Sequence, residues 1–277
     1  MKNVLIVLNY NDYDTTVKFV ESIKNYNILD LIVIIDNDSK DNSYDKLKKL
    51  KSKKITVLKS DKNGGYGYGN NIGLKYVYEK YKDCNVIISN PDIIVKEKVI
   101  KKLLDDLLLD DKNAIVGPVI NTHGKLSKGW KLTNGFKEFL ISIPRFGTRF
   151  KDKIIGYNEK YYTNGINRVD VVSGCFFVSK LKALKDINYF DEKIFLYYEE
   201  NVICKKLKDK GYNVLLDNSV EIKHNHSISI DKSHSSLSKF KILKESQMYY
   251  LNNYVKASNL SKKMIKLCSK LIINKKS

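Results

Sequence analysis

The 277-residue chain is 43% hydrophobic and 29% charged, the balance of a soluble globular protein, which excludes a disordered or fibrous chain. Its net charge of +19 comes from 50 Lys and Arg against 31 Asp and Glu, yet three of the cations alone are arginines (Arg145, Arg149 and Arg168), which argues against a nucleic-acid reader. Apolar runs stay short of the ~18–20 residues of a membrane span, the start MKNVLIVLNYND has acids where a signal peptide would be cleaved, and Cys84, Cys175, Cys204 and Cys268 lack Cys-x-x-Cys spacing, so a cytoplasmic protein is expected.

In chain order, strand-length apolar runs at Val4–Leu8, Leu31–Asp36, Ile55–Lys59, Asn85–Ser89 and Ala114–Pro118 alternate with helical patterns over 15–26, 42–51, 69–82 and 96–109. Continuous β-branched strands alternating with helices predict an α/β fold, a mostly parallel central sheet flanked by helices. The segment from about 120 to 168 reads as a loop-rich insertion. Regularity returns with RVDVVSGCFFVSK and with a helix from near Tyr198 to Gly211, followed by another strand. Helical stretches at 235–256 and 260–273 close the chain. This divides it into a catalytic domain, 1–226, and a basic C-terminal helical extension, 227–277, whose eleven lysines face Asp231 and Glu245 alone. Such a tail suits an anionic membrane surface or another acidic partner.

Sites in parallel α/β sheets lie at the carboxyl ends of strands, so the clusters that follow each strand are the candidates. Asp36 ends the second strand, where its carboxylate can accept from the imide N–H of uracil or thymine; the nearby Asp41 reads as a helix cap. The run Asn63-Gly64-Gly65-Tyr66-Gly67-Tyr68-Gly69-Asn70-Asn71 fits neither G-x-G-x-x-G nor a P-loop. It reads as a small-residue turn opening a helix at Asn70, with N–H groups free to face a diphosphate, or as a plain structural turn. In Ser89-Asn90-Pro91-Asp92 a strand-end carboxylate can hold a divalent ion against a diphosphate, or merely make a Pro-Asp turn. Tyr197-Tyr198-Glu199-Glu200 puts paired carboxylates at a helix start, as a general base or as complements to the helix dipole. In His224-Asn225-His226 the two imidazoles alternate along a strand, so one of them joins Asp92 at an ion, or both are surface or capping histidines.

These clusters, in this order, resemble glycosyltransferase family 2, the inverting nucleotide-sugar enzymes of the GT-A fold, and in particular its bacterial rhamnosyltransferase-like members. The resemblance covers residues 3 to 226, with a weaker echo around Ser246 to Asn253. It implies that Asn9 and Asp36 line the nucleobase pocket and that Asn63, Gly65 and Asn71 lie near the nucleotide. Asp92 would be the metal ligand for Mg²⁺ or Mn²⁺, with His224 beside it, and Asn90 stands at the first position of the usual D-x-D. Gly174 and Cys175 would lie beneath the sugar and acceptor. Glu199-Glu200 matches the family's Glu-Asp pair, which makes Glu200 the base, and the following acidic position is Val202 here. The implied reaction is transfer of a sugar, with rhamnose from a dTDP-linked donor first and a UDP-linked hexose next, to a saccharide or lipid-linked acceptor in surface-polysaccharide synthesis, at the cytoplasmic face of the membrane. The competing readings are a catalytically degenerate subunit and a sugar-phosphate nucleotidyltransferase; the second expects a basic Gly-rich loop where this chain has LNYNDYDTT.

Overall fold

Along the first strands, alternate side chains enter opposite cores, and this divides the chain into layers. The computed structural model describes residues 1–225 and 235–273. The elements at its centre are β1 (Asn3–Asn9), β2 (Leu31–Asp36), β3 (Ile55–Lys59) and β4 (Asn85–Ser89). Val4 and Ile6 of β1 pack on one face with Leu31, Val33 and Ile35 of β2. Leu5 and Val7 pack on the other with Ile32 and Ile34. All six β2 residues are buried, as a strand covered on both faces must be.

Helix α1 (Tyr13–Ile23), the short α2 (Ser43–Leu47), α3 (Tyr66–Tyr81) and α4 (Glu97–Leu107) connect or follow these strands. The order across the sheet is β3-β2-β1-β4, all parallel, so the chain reverses direction of travel between β1 and β4. The second half is mixed. It contains β5 (Ile93–Ile94), β6 (Asn113–Thr122), β7 (Lys125–Ser127), β8 (Ile166–Arg168), β9 (Phe176–Lys180) and β10 (Asn213–His224). Strand β9 runs antiparallel between β4 and β6, while β10 runs parallel to β6 and antiparallel to β5 and β8. A bulge between Asp217 and Glu221 re-registers β10 before His224 pairs with Ile93.

Three expectations change. The 120–168 segment is not loop-rich: it holds the hairpin of β6 and β7, then helices α5 (Gly135–Ser142) and α6 (Phe146–Ile155), with Asn134 capping α5 through the Lys137 N–H. Helix α3 opens at Tyr66, not Asn70, so most of the Gly-rich run is helix. Its glycines serve close packing, since a β-carbon on Gly69 would meet Leu8 Cδ1 at 2.3 Å and one on Gly73 would meet Ile35 at 2.8 Å.

The closing helices are α7 (Leu181–Asp186), α8 (Glu199–Asp209), α9 (Ser236–Asn253) and α10 (Asn259–Ile273). The third change concerns α10. The sequence pattern puts Leu260, Met264, Leu267, Cys268, Leu271 and Ile272 on a single apolar face; instead the helix seats on Ile265 and Cys268, while Leu260, Leu267 and Leu271 remain 71%, 54% and 52% exposed. The proposed division at 226/227 and His226 lie outside the described residues.

Candidate active site

At the carboxyl ends of β1 and β2, Asn9 and Asp36 are fully buried and bonded to each other, Asn9 Nδ2 donating to Asp36 Oδ1 at 2.9 Å. Thr16 donates to Asn9 Oδ1 at 2.7 Å, and the Ser39 N–H donates to the second Asp36 oxygen at 3.1 Å. The pair is therefore preorganised by protein donors and fixes the loop after β2. Asp41 accepts from the Ser43 N–H at the start of α2.

Asn37, between Asp36 and Asp38, ties this loop to the Gly-rich run. Its amide donates to Asn63 Oδ1 at 3.0 Å and to the Gly65 carbonyl at 3.1 Å. Gly65 sits at φ 93°, and a β-carbon there would lie 2.1 Å from the Phe195 carbonyl oxygen, so this position demands glycine for backbone approach alone. The side chain of Asn71 is engaged by protein: Nδ2 donates to the Phe190 carbonyl and to Glu192, and Oδ1 accepts the Phe190 N–H. It clamps the 190–192 segment against α3.

After β4, the Asn90 N–H donates to the Cys175 carbonyl at 2.8 Å, which moors Asn90-Pro91-Asp92 to the start of β9. Asp92 Oδ1 lies 3.1 Å from His224 Nε2, with both side chains largely buried. The Asn225 N–H donates to the Asp92 carbonyl and holds the end of β10 in place. One carboxylate oxygen facing one imidazole nitrogen is a donor set that a divalent ion accepts, and it fits a hard or borderline cation whose remaining positions go to phosphate and water. Among the described residues there is no group of three or more His, Cys, Asp or Glu that could hold an ion unaided.

The segment Ser173-Gly174-Cys175 joins Asp92 to the paired glutamates. A β-carbon on Gly174 would lie 3.6 Å from Glu200 Cβ and 3.9 Å from Glu200 Oε2. Tyr66 reaches across from α3 to donate to the Gly174 carbonyl at 2.8 Å. Burial pushes the Cys175 thiol up to about 12, and the carboxylates of both Asp92 and Glu200 add to the push, as they must when they flank one point. Burial also raises the proton affinity of Glu200, opposed by the Lys151 ammonium. Glu199 is held well above the usual carboxylate range, first by burial and then by the charge of Glu200, and its Oε1 is buried without a hydrogen-bond partner. Two adjacent glutamates thus occupy different environments. Glu200 borders a cleft of about 340 Å³ lined by Trp130, Lys151, Tyr197, Lys244 and Gln247, whereas Glu199 points into the protein.

The structure thus brings Asp92 to His224 and Gly174 and Cys175 to Glu200, holds Asn9 and Asp36 buried at their strand ends with Asn63 and Gly65 tied to the same loop through Asn37, and spends Asn71 on packing. The family description for Glycosyl transferase family 2 matches residues 4–187, two thirds of the chain. The chain belongs to glycosyl transferase family 2. This is a family of nucleotide-sugar-dependent transferases. The chain is similar to the dTDP-rhamnosyl transferase RfbF of Shigella flexneri, with 27% identity over 238 residues, 82% of this chain and 72% of that one. It is similar also to the low-salt glycan biosynthesis hexosyltransferase Agl10 of Haloferax volcanii, with 24% identity over 84% of this chain and 70% of that one. GalNAc-T7, solved with UDP, GalNAc and Mn²⁺, shares the fold at a TM-score of 0.66 and 15% identity, over 92% of this chain and 49% of that one. The mannosyltransferase PcManGT of Pyrobaculum calidifontis, solved with GDP-Man and Mn²⁺, does so at 0.55 and 11%, over 96% and 73%. The fold is therefore GT-A, and this chain spans about half of GalNAc-T7.

Sequence reasoning missed Asn37, Tyr66, Trp130, Glu138, Lys151 and Gln247. Tyr66 and Asn37 had a signal, since each sits inside a cluster singled out for other members. Gln247 lies within the weaker echo around Ser246 to Asn253, and Trp130, Glu138 and Lys151 lie in the segment read as loop, where no motif marks them.

Proposed function

We propose that this chain transfers a sugar from a nucleoside-diphosphate donor to a hydroxyl of a saccharide or lipid-linked acceptor, with inversion at the anomeric carbon. The observation that carries this reading is the Glu200 carboxylate standing over Gly174 at the edge of the cleft, on the same short segment that moors Asp92. Burial raises the proton affinity of Glu200 toward the range useful for a general base. Glu200 takes the proton of the acceptor hydroxyl as its oxygen bonds to the anomeric carbon. The bond from that carbon to the diphosphate oxygen breaks in the same displacement, and the nucleoside diphosphate leaves with the electron pair. Asn9 and Asp36, buried and bonded to each other, serve the nucleobase side by fixing the loop after β2. Asp92 and His224 would hold a Mg²⁺ or Mn²⁺ ion, which supplies charge neutralisation at the diphosphate when bound.

Rhamnose from a dTDP-linked donor is the first candidate, supported by the similarity to RfbF. The exposed Leu260, Leu267 and Leu271, flanked on α10 by Lys263 and Lys270, support a resting place on an anionic membrane surface close to a lipid-linked acceptor. No described helix is long and apolar enough to cross a membrane. The test is a donor panel of dTDP-rhamnose, UDP-glucose, UDP-N-acetylglucosamine and GDP-mannose, read by thermal stabilisation and by release of the nucleoside diphosphate with Mn²⁺. One donor should raise Tm and be hydrolysed; indifference to all four overturns the reading.

A further inference from the structure

The catalytic helix α8 is entered through backbone that does not hold itself. Tyr197 and Tyr198 sit at φ 71° and 70°, and Tyr198 is the N-cap residue of α8. Large non-glycine residues are strained in this left-handed region, and persist there where surrounding structure over-determines them. The bonds that over-determine them come from two other parts of the chain. Tyr198 Oη donates to Glu138 Oε2 at 2.6 Å, and Gln247 Nε2 donates to the same oxygen at 2.6 Å. Thr133 donates to the other oxygen of Glu138. Glu138 and Gln247 are 1% and 2% exposed, so this is a buried carboxylate whose three donors are all protein.

Helix α9 grips the same segment at further points. Ser246 Oγ donates to the Leu196 carbonyl at 2.7 Å, Tyr249 Oη donates to Asp191 Oδ2 at 2.8 Å, and Tyr254 Oη donates to that oxygen at 2.5 Å. The ring of Tyr250, fully buried, stacks at a tilt on Tyr198 with centroids 5.4 Å apart. Helix α9 and its C-cap residue Tyr254 therefore hold residues 191, 196 and 198, directly ahead of Glu199 and Glu200.

We propose that Glu138, Tyr198 and Gln247 are positioning residues, which lock the left-handed entry to α8 and so fix the Glu200 carboxylate over Gly174; α9 is thereby a working part of the active site. This rests on Glu200 being the base. A rotation about the backbone of Tyr198 would swing the first turn of α8 and carry Glu200 away from Gly174. Glu138 does not act on substrate, because its two oxygens already receive Thr133, Tyr198 and Gln247. Lys244, lowered by burial, completes the cluster by donating to Gln247 Oε1 at 2.8 Å.

The test compares Tyr198→Phe, Gln247→Leu and Glu200→Gln in the full chain, using the panel donor that is hydrolysed. Tyr198→Phe removes one oxygen and leaves the stacked ring, so folding should survive. The groups that face Glu200 are Lys151 from α6, Tyr66 from α3, Cys175, and Glu199 and Cys204 from α8, and the variants leave all five in place. Tyr198→Phe and Gln247→Leu should each lower kcat about tenfold or more with donor KM within twofold. The acid limb of the pH profile should move to lower pH as Glu200 becomes hydrated. Amide exchange at residues 197–200 should accelerate about tenfold, a readout that needs no donor. Unchanged exchange and kcat overturn the proposal, and so does a fall in kcat that tracks a fall in Tm with the acid limb fixed. If Glu200→Gln keeps both turnover and the acid limb, the base assignment itself fails, whatever the two positioning variants do.

Discussion

Glu200 lies so close over Gly174 that a β-carbon added to the glycine would touch the carboxylate at 3.9 Å. Gly174 in turn precedes Cys175, whose carbonyl holds Asn90. This links the proposed base to the proposed ion ligand through Gly174, Cys175, Asn90 and Pro91. Glu200→Gln should remove transfer by about 10²–10⁴-fold while donor affinity stays within a few-fold, because the amide keeps shape and loses basicity. In the wild type, burial raises the Glu200 proton affinity, so kcat/KM should rise with pH through a midpoint above the ordinary carboxylate range and then level off. Glu200→Gln should lose that limb. Glu199→Gln is the control: if it alone silences the enzyme, the base is its neighbour.

Asp92→Ala should lower turnover by at least about two orders of magnitude with the fold intact, since loss of an ion ligand removes several kcal/mol of charge stabilisation at the leaving group. His224→Ala should be milder and show as a rise in the Mn²⁺ concentration needed for half-maximal rate. Titrating Mn²⁺ after chelation checks both. Normal turnover by Asp92→Ala at saturating Mn²⁺ would take Asp92 out of the site.

Gly65→Ala tests whether the Gly-rich run serves packing. The added β-carbon would fall 2.1 Å from the Phe195 carbonyl oxygen, at a φ of 93° that alanine adopts at a cost. Thermal melting should show a destabilisation of about 2–4 kcal/mol, some 4–16 °C in Tm for a chain of this size. A variant that melts with the wild type would show that the 191–198 segment moves aside freely.

The parallel half of the sheet was legible because each of its strands is a continuous apolar run, and the carboxylates proposed for the site stand at strand ends, Asp36 closing β2 and Asp92 lying just past β4. Helix α3 was placed four residues late because Gly67 and Gly69 are poor helix formers by intrinsic propensity. Tertiary contact with Leu8 outweighs that preference. Helices α5 and α6 went unseen for a different reason. Pro144 and the left-handed Arg145 break the periodicity between them, and the buried face of α5 includes a carboxylate, Glu138, which polarity alone assigns to solvent. Its partners Tyr198 and Gln247 are 60 and 109 residues away, so no local pattern can pair them.

The last prediction concerns α10, where the sequence pattern and the packing diverge. Ile265 and Cys268 are buried, and Gly135 of α5 meets Ala257 and Ser261 closely, so the helix is seated on the domain. Removing it whole would expose that seat and confuse two effects. Leu260, Leu267 and Leu271 stand apart from the seat: at 100° per residue they form one stripe, with Lys263 and Lys270 beside it. A stripe of three exposed leucines flanked by lysines gains from an anionic interface through apolar burial and about 1 kcal/mol per lysine near the surface. The triple variant Leu260→Gln, Leu267→Gln, Leu271→Gln should therefore abolish binding to phosphatidylglycerol-containing vesicles at low salt. Its Tm and donor hydrolysis should remain those of the wild type, because all three side chains are more than half exposed and the seat is made by Ile265 and Cys268. Undiminished vesicle binding by the triple variant would remove the stripe from any membrane role, and loss of Tm would place the leucines in the fold instead.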